Sequence, residues 1–167
     1  ERRSVSPAFT PSEMVRLSTD IRLRTTEILD TLPYGERFDW VDRVAIELTT
    51  QMLAILFDFP WADRRLLTFW SDWAGDVEII KDPEKNAERI GHLHEMGAYF
   101  KKLWYARSAA PDGADLLSMM IRSEAMRGMD AQEFMGNLIL LIVGGNDTTR
   151  NTMSGLTYAL DKFPDQR

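Results

Sequence analysis

Residues 130–162 read as a single helix of about 33 residues, roughly 50 Å long at 1.5 Å per residue, a length few globular helices reach. Asp130 and Glu133 stand at N-cap and N3 spacing, an Asp-headed variant of the capping box, and Phe163-Pro164 ends the pattern. The middle of this helix departs from ordinary rules. Leu138 to Val143 is apolar on every side, so that segment has to be buried on every side. Gly144 and Gly145 follow, each costing about 1 kcal/mol in a helix interior relative to alanine. Seven polar residues then run without a break from Asn146 to Thr152, before apolar positions resume at Met153 and Leu156.

Such local failures tend to mark function or strain. Gly144 and Gly145 carry no side chain, so a flat or bulky ligand can approach the backbone closely. Thr148 lies one turn after Gly144, and its hydroxyl can reach back to the Gly144 carbonyl and compete with the helix ladder. Competition of that kind beside glycines predicts a kink or a π turn at this point. The expected result is a groove edged by the Thr148 hydroxyl and the Asp147 carboxyl. A carboxyl held partly out of water suits proton donation. Read without context, a long core helix whose polar residues meet other polar groups explains the stretch about as well.

The rest of the chain is helical too. Pro11-Ser12-Glu13 opens a helix to about Thr31, with Met14, Val15, Leu17, Ile21, Ile28 and Leu29 on its apolar side. A second runs from about Asp39, a plausible N-cap, to Asp58, with Phe38, Val41, Ala45, Leu48, Met52 and Ile55 recurring every three or four residues. A third spans Ala62 to about Gly75, and a fourth starts at Asp82-Pro83-Glu84 and runs to about Ser108. Asp115 caps a short helix through about Met126. Internal repeats and strand-like alternation are absent from the pattern. The opening at Glu1 and the close just after Pro164-Asp165, which reads as a helix start, fit a piece of a longer chain.

Charge and composition exclude some classes. With 26 acidic against 20 basic residues the formal net charge is −6, which disfavours nucleic-acid binding. There is no cysteine, so neither a disulfide framework nor a thiolate metal site can form within these residues. The longest apolar run, Leu138 to Val143, is too short to span a bilayer, and no signal pattern precedes it, so a cytoplasmic location is expected.

Gly144-Gly145-Asn146-Asp147-Thr148-Thr149 resembles the oxygen-groove motif of cytochromes P450, [Ala/Gly]-Gly-x-[Asp/Glu]-Thr-Thr, which also sits midway along a long central helix. Arg2-Arg3-Ser4-Val5-Ser6-Pro7-Ala8-Phe9 is similar to the end of the helix that meets the haem propionates, and Asp115-Leu116-Leu117-Ser118 to the short helix before the long one. Two longer strings, residues 38–50 and 141–151, resemble the bacterial P450 alkane hydroxylases, which oxidise terminal carbons of medium-chain alkanes and fatty acids. The resemblance covers essentially the whole chain. It implies a mainly α fold, the helical middle portion of the P450 architecture, with residues 1–167 as one partial domain.

The resemblance also implies haem b, held by a cysteine thiolate that favours O–O cleavage. Asp147 and Thr148 are then the catalytic pair, relaying protons and hydrogen-bonding in the oxygen groove. Gly144, Gly145 and Thr149 complete the groove, and Arg2 matches the position that pairs with a haem propionate. Electrons would come from NAD(P)H through a ferredoxin reductase and a ferredoxin. The family's cysteine loop and Glu-x-x-Arg motif are not present, so residues 1–167 alone are expected neither to bind haem stably nor to turn over.

Other features carry less. His92 and His94 are two apart on a helix, about 200° around it, and do not make a metal pair. Asn146-Asp147-Thr148 matches an N-glycosylation sequon by chance. Trp61, Trp70, Trp73 and Trp104 are expected in core and helix contacts, and in the family Leu66, Phe69, Trp70 and Trp73 lie on helices that roof the substrate channel. Arg2, Arg3, Arg16, Arg22 and Arg24 make the amino-terminal stretch locally basic, which is usually only a solvated face; in the family the nearby haem-proximal face docks an acidic ferredoxin, and the resemblance implies steering of that kind. The alternative class is a ligand-sensing all-helical domain of a regulator.

Overall fold

The computed structural model describes residues 2–109 and 113–166. Seven α-helical segments organise it: α1 (Arg2–Val5), α2 (Pro11–Asp30), α3 (Glu47–Phe57), α4 (Arg65–Gly75), α5 (Pro83–Ser108), α6 (Leu116–Arg122) and α7 (Ala131–Lys162). Short 3-10 turns link them at Ser6–Phe9, Trp61–Asp63 and Ile79–Lys81, and another follows α7 at Pro164–Gln166. No strand occurs among the described residues.

The helix starts are chemically explicit. Asp130 Oδ1 accepts from Glu133 N at 2.9 Å while Glu133 Oε2 accepts from Asp130 N at 3.1 Å, so the capping box closes in both directions. Asp82 Oδ1 accepts from Glu84 N and Lys85 N at the head of α5. Asp115 takes Ser118 N at 3.0 Å and the Ser118 hydroxyl at 2.6 Å. Each cap satisfies donors that a helix terminus leaves orphaned. At the other end of α3, Asp58 adopts φ 46°, ψ 46°, a left-handed conformation that aspartate tolerates, and stops the helix two residues before Pro60.

α7 packs on α3, on α4 and on the segment just before α3. The side chains between them form one core. Phe57 and Phe100 meet edge-on at 5.4 Å, Phe59 stacks on Tyr99 at 5.0 Å, and Trp70 closes the cluster. Leu138 and Ile142 bring α7 into it, and Leu117 and Met120 bring α6. Arg107 ties the far side together: it donates to the carbonyls of Phe57 and Asp58 and, at 2.6 Å, to the nearly buried Asp115 carboxylate.

Several sequence expectations shift. The π turn falls at Val41–Ile46, not beside the glycines, and α7 is α-helical over its whole length. That widened turn moves the second helix out of step with a 3.6-residue count. Of the six residues expected on its core face only Ala45 is buried, and the buried stripe is Val44, Thr49, Thr50, Leu53, Ala54 and Phe57. On α2, Leu17 and Ile28 are buried, whereas Val15 is 71% exposed and Leu29 is exposed as well. The short helix ends at Arg122 rather than near Met126, because Ser123 turns extended and the chain closes a turn through Met126 N to Ser123 O. Trp61 is a surface residue between the guanidinium groups of Arg24 and Arg64, at 5.0 and 4.9 Å.

Candidate oxygen groove

Two faces of α7 meet at the motif. Leu138, Ile142 and Asn146 lie at successive four-residue steps and form its buried stripe. Asn146 is 0% exposed. Its Oδ1 accepts from Thr49 Oγ1 at 2.8 Å and its Nδ2 donates to Asp147 Oδ1 at 3.3 Å. A buried amide satisfied at both ends is held in one orientation: its oxygen meets a hydroxyl donor and its nitrogen an accepting carboxyl oxygen. Periodicity on α7 could have revealed Asn146 as the polar member of an apolar stripe. The sequence reading passed over it as the motif's variable position. Its burial leaves no room for a glycan at the sequon.

The opposite face is open. Leu140, Gly144 and Thr148 are exposed and share one side of the helix. A Cβ built on Gly144 meets nothing within 4 Å. Thr148 Oγ1 donates to Gly144 O at 2.9 Å, the back-bond the sequence predicts, made without breaking the α-helix. Gly145 has a packing role as well: a Cβ there would stand 2.9 Å from Leu53 Cδ2, so this glycine lets α3 approach. Thr149 is exposed beside the groove.

Asp147 sits at the groove's edge against α4, its side chain 24% exposed. Oδ1 accepts from Ser71 Oγ at 3.1 Å, from Arg150 Nη2 at 3.1 Å and from Asn146. Arg150 Nη1 reaches Asp72 Oδ1 at 2.7 Å, so the arginine bridges the motif and α4. Sequence reasoning missed Thr49 and Ser71, since nothing in local spacing brings residue 49 to residue 146 or residue 71 to residue 147; it also missed Arg150, which stands at i,i+3 spacing from Asp147 and could have been found.

Over 99% of its length the chain superposes on the structure of cytochrome P450-153 from Novosphingobium aromaticivorans, with a TM-score of 0.91 and 64% identity. CYP153D17 from Sphingomonas sp. PAMC 26605 matches with a TM-score of 0.89 and 66% identity over 99% of the chain. The chain belongs to the cytochrome P450 family. A linalool 8-monooxygenase of Pseudomonas putida is 31% identical over 169 residues, 99% of this chain and 41% of its own length. The P450 chain thus spans about two fifths of the relatives it matches: 40% of the Novosphingobium structure and 42% of the Sphingomonas one. No family model matches.

The open stripe of Gly144 and Thr148 fits the distal side of a flat group such as haem: side-chain-free backbone next to a hydroxyl. The axial thiolate cannot come from these 167 residues, which contain no cysteine. The Arg2 side chain lies outside the described residues. Arg16 is paired with Glu13 and Asp20, and Arg24 with Glu27, so these two arginines do not add to a free basic face. No helix of the described residues is long and apolar enough to cross a membrane. His92 lies between Phe69 and Trp73, with ring centroids at 4.7 and 4.8 Å, and links α5 to α4. Trp70 is core, while Phe69 is 39% exposed.

Proposed function

We propose that this chain is one partial domain of a cytoplasmic haem–thiolate monooxygenase that hydroxylates an apolar chain at its end, on medium-chain alkanes or fatty acids. The observation that carries the reading is the open Gly144–Thr148 stripe with Asp147 at its edge, in a chain 64% and 66% identical to two P450 structures of the 153 group. Haem, bound through a thiolate from outside residues 1–167, supplies the activation of O2. Electrons reach it from NAD(P)H through ferredoxin reductase and ferredoxin. Residues 1–167 by themselves do not turn over.

The chain's own residues handle space and protons. Gly144 leaves the helix backbone bare where the oxygen groove runs. Thr148 presents a hydroxyl there; donating to Gly144 O leaves its lone pairs free to accept from a water in the groove. Asp147 takes a proton from solvent and passes it through that water to the Thr148 side. Thr149 borders the groove, and Arg2 would hold a haem propionate, the role the resemblance implies for its position.

In the full-length protein, Thr148→Ala is expected to uncouple electron use from product and release peroxide. Asp147→Asn is expected to slow turnover by about 100-fold, the scale of a lost general acid. The assay is NAD(P)H consumption against product and peroxide on an octane or dodecanoate substrate. Wild-type coupling and rate in both variants would sink the relay.

A further inference from the structure

All three donors to Asp147 converge on one oxygen. Ser71, Asn146 and Arg150 approach Oδ1. Oδ2 points instead at the last residue of α4: a Cβ built on Gly75 would stand 2.8 Å from it. Read from the sequence, Gly75 is merely where a helix ends. Yet Gly75 is not among the residues with positive φ, so its backbone does not require glycine. What the missing side chain provides is space for a carboxylate oxygen. Ser71 lies one turn earlier on the same face of α4 and is fully buried. The two residues therefore act on the two oxygens of one carboxyl group.

The division of labour between the oxygens is chemically specific. An oxygen that accepts three donors is committed to accepting. A proton carried by Asp147 then resides on Oδ2, the oxygen facing the bare Cα of Gly75. Asn146 cannot turn its carbonyl toward Asp147 without placing two acceptors together and losing the Thr49 bond.

We propose that Gly75 and Ser71 of α4, with Asn146 of α7, are positioning residues that hold the Asp147 carboxyl at the groove's edge, Ser71 and Asn146 by fixing Oδ1 and Gly75 by leaving room for Oδ2. This rests on Asp147 being the proton relay proposed above. It makes the end of α4, outside the Gly-Gly-x-Asp-Thr-Thr motif, a determinant of proton delivery.

Gly75→Ala is a clean perturbation. The atom it would meet is the far end of a flexible side chain, so the fold can yield by turning Asp147 rather than by unpacking. Displacing a reacting group by about 1 Å can cost about 100-fold. In the full-length haem-loaded enzyme, Gly75→Ala is therefore expected to cut turnover by about 10- to 100-fold and to raise the solvent deuterium isotope effect. The carbon monoxide difference spectrum and substrate affinity should stay unchanged. Ser71→Ala, which removes one donor and little volume, should give a smaller change in the same direction. A crystal structure of the Gly75→Ala holoenzyme should show the Asp147 carboxyl rotated away from α4.

Asp147→Asn run alongside separates the two claims. If Asp147→Asn slows turnover while Gly75→Ala and Ser71→Ala keep the wild-type rate and isotope effect, the positioning role is wrong and the relay stands. If Asp147→Asn itself turns over normally, the relay fails and the positioning role falls with it. An unmoved carboxyl in the Gly75→Ala structure also overturns the proposal, whatever the rates.

Discussion

Adding one methyl group at either of two adjacent glycines should have clearly different consequences. Gly144→Ala and Gly145→Ala both gain helix propensity, about 1 kcal/mol in an unobstructed interior position. That gain is common to both, so it cancels in their difference. At Gly144 the new Cβ meets nothing within 4 Å. At Gly145 it would lie 2.9 Å from Leu53 Cδ2 and 3.8 Å from Leu53 Cγ. Leu53 is 3% exposed, so it cannot swing into solvent to yield. Overpacking of this kind costs about 1–3 kcal/mol. Gly145→Ala is therefore expected to be less stable than Gly144→Ala by about 1–3 kcal/mol. Urea-unfolding midpoints of the full-length protein, followed by far-ultraviolet circular dichroism, measure the difference. Leu53→Ala adds a control. Alone it opens a cavity and costs about 2–5 kcal/mol, but beside Ala at position 145 it should cost less, giving a coupling energy from the double-mutant cycle. Equal midpoints for the two glycine variants, or a weaker Gly144→Ala, would refute the close α3–α7 contact as the reason for Gly145.

Other consequences concern the frame around the site. Arg107→Ala should destabilise by about 3–5 kcal/mol, because it leaves the buried Asp115 carboxylate without its cation; Arg107→Lys should recover only part, since an ammonium cannot reproduce the fork to two carbonyls and a carboxylate. A loss below about 1 kcal/mol in urea unfolding of Arg107→Ala would show the pair to be superficial. Glu47 lies half-buried, which by itself would raise its pKa, but hydrogen bonds from Gln51 and Arg64 and the charges of Arg65 and Arg64 outweigh burial and hold the carboxyl below its usual 4.5. A lowered folded value means stability that is full above 4.5 and lost as pH falls through the folded value. Glu47→Gln should be less stable than wild type at neutral pH and converge with it in strong acid; parallel curves would contradict this. Burial, then the hydrogen bond to Asp63 and its charge, push the Tyr99 phenol up to about 12 from 10.0. Its contribution is complete below pH 10 and lost as pH climbs toward 12, so Tyr99→Phe should flatten the alkaline limb of a stability–pH curve.

Much of this architecture is local and was legible in the chain. The caps at Asp82, Asp115 and Asp130 need only residues two or three positions away, so their hydrogen bonds follow from spacing. The Thr148–Gly144 back-bond is equally local, one turn of one helix. The motif's residue types marked a candidate site for the same reason: consecutive positions on a helix have fixed angular relations. The π turn at Val41–Ile46 was not legible. Its widening depends on what packs against the second helix, and it displaced the core assignments that follow it, Leu48, Met52 and Ile55.

What only the tertiary structure decided is how each motif residue is used. Sequence alone makes Gly144 and Gly145 equivalent; a leucine 92 positions earlier makes one of them a packing residue and leaves the other bare. Sequence alone makes Asp147 a candidate proton carrier; the packing of α4 on α7 decides that its Oδ1 meets Ser71 and Asn146 and its Oδ2 faces Gly75. Helix propensity, capping and periodicity act over three or four residues, so a single chain segment encodes them. A hydrogen bond across 76 residues, from Ser71 to Asp147, depends on two helices being brought side by side by the packing of all the others.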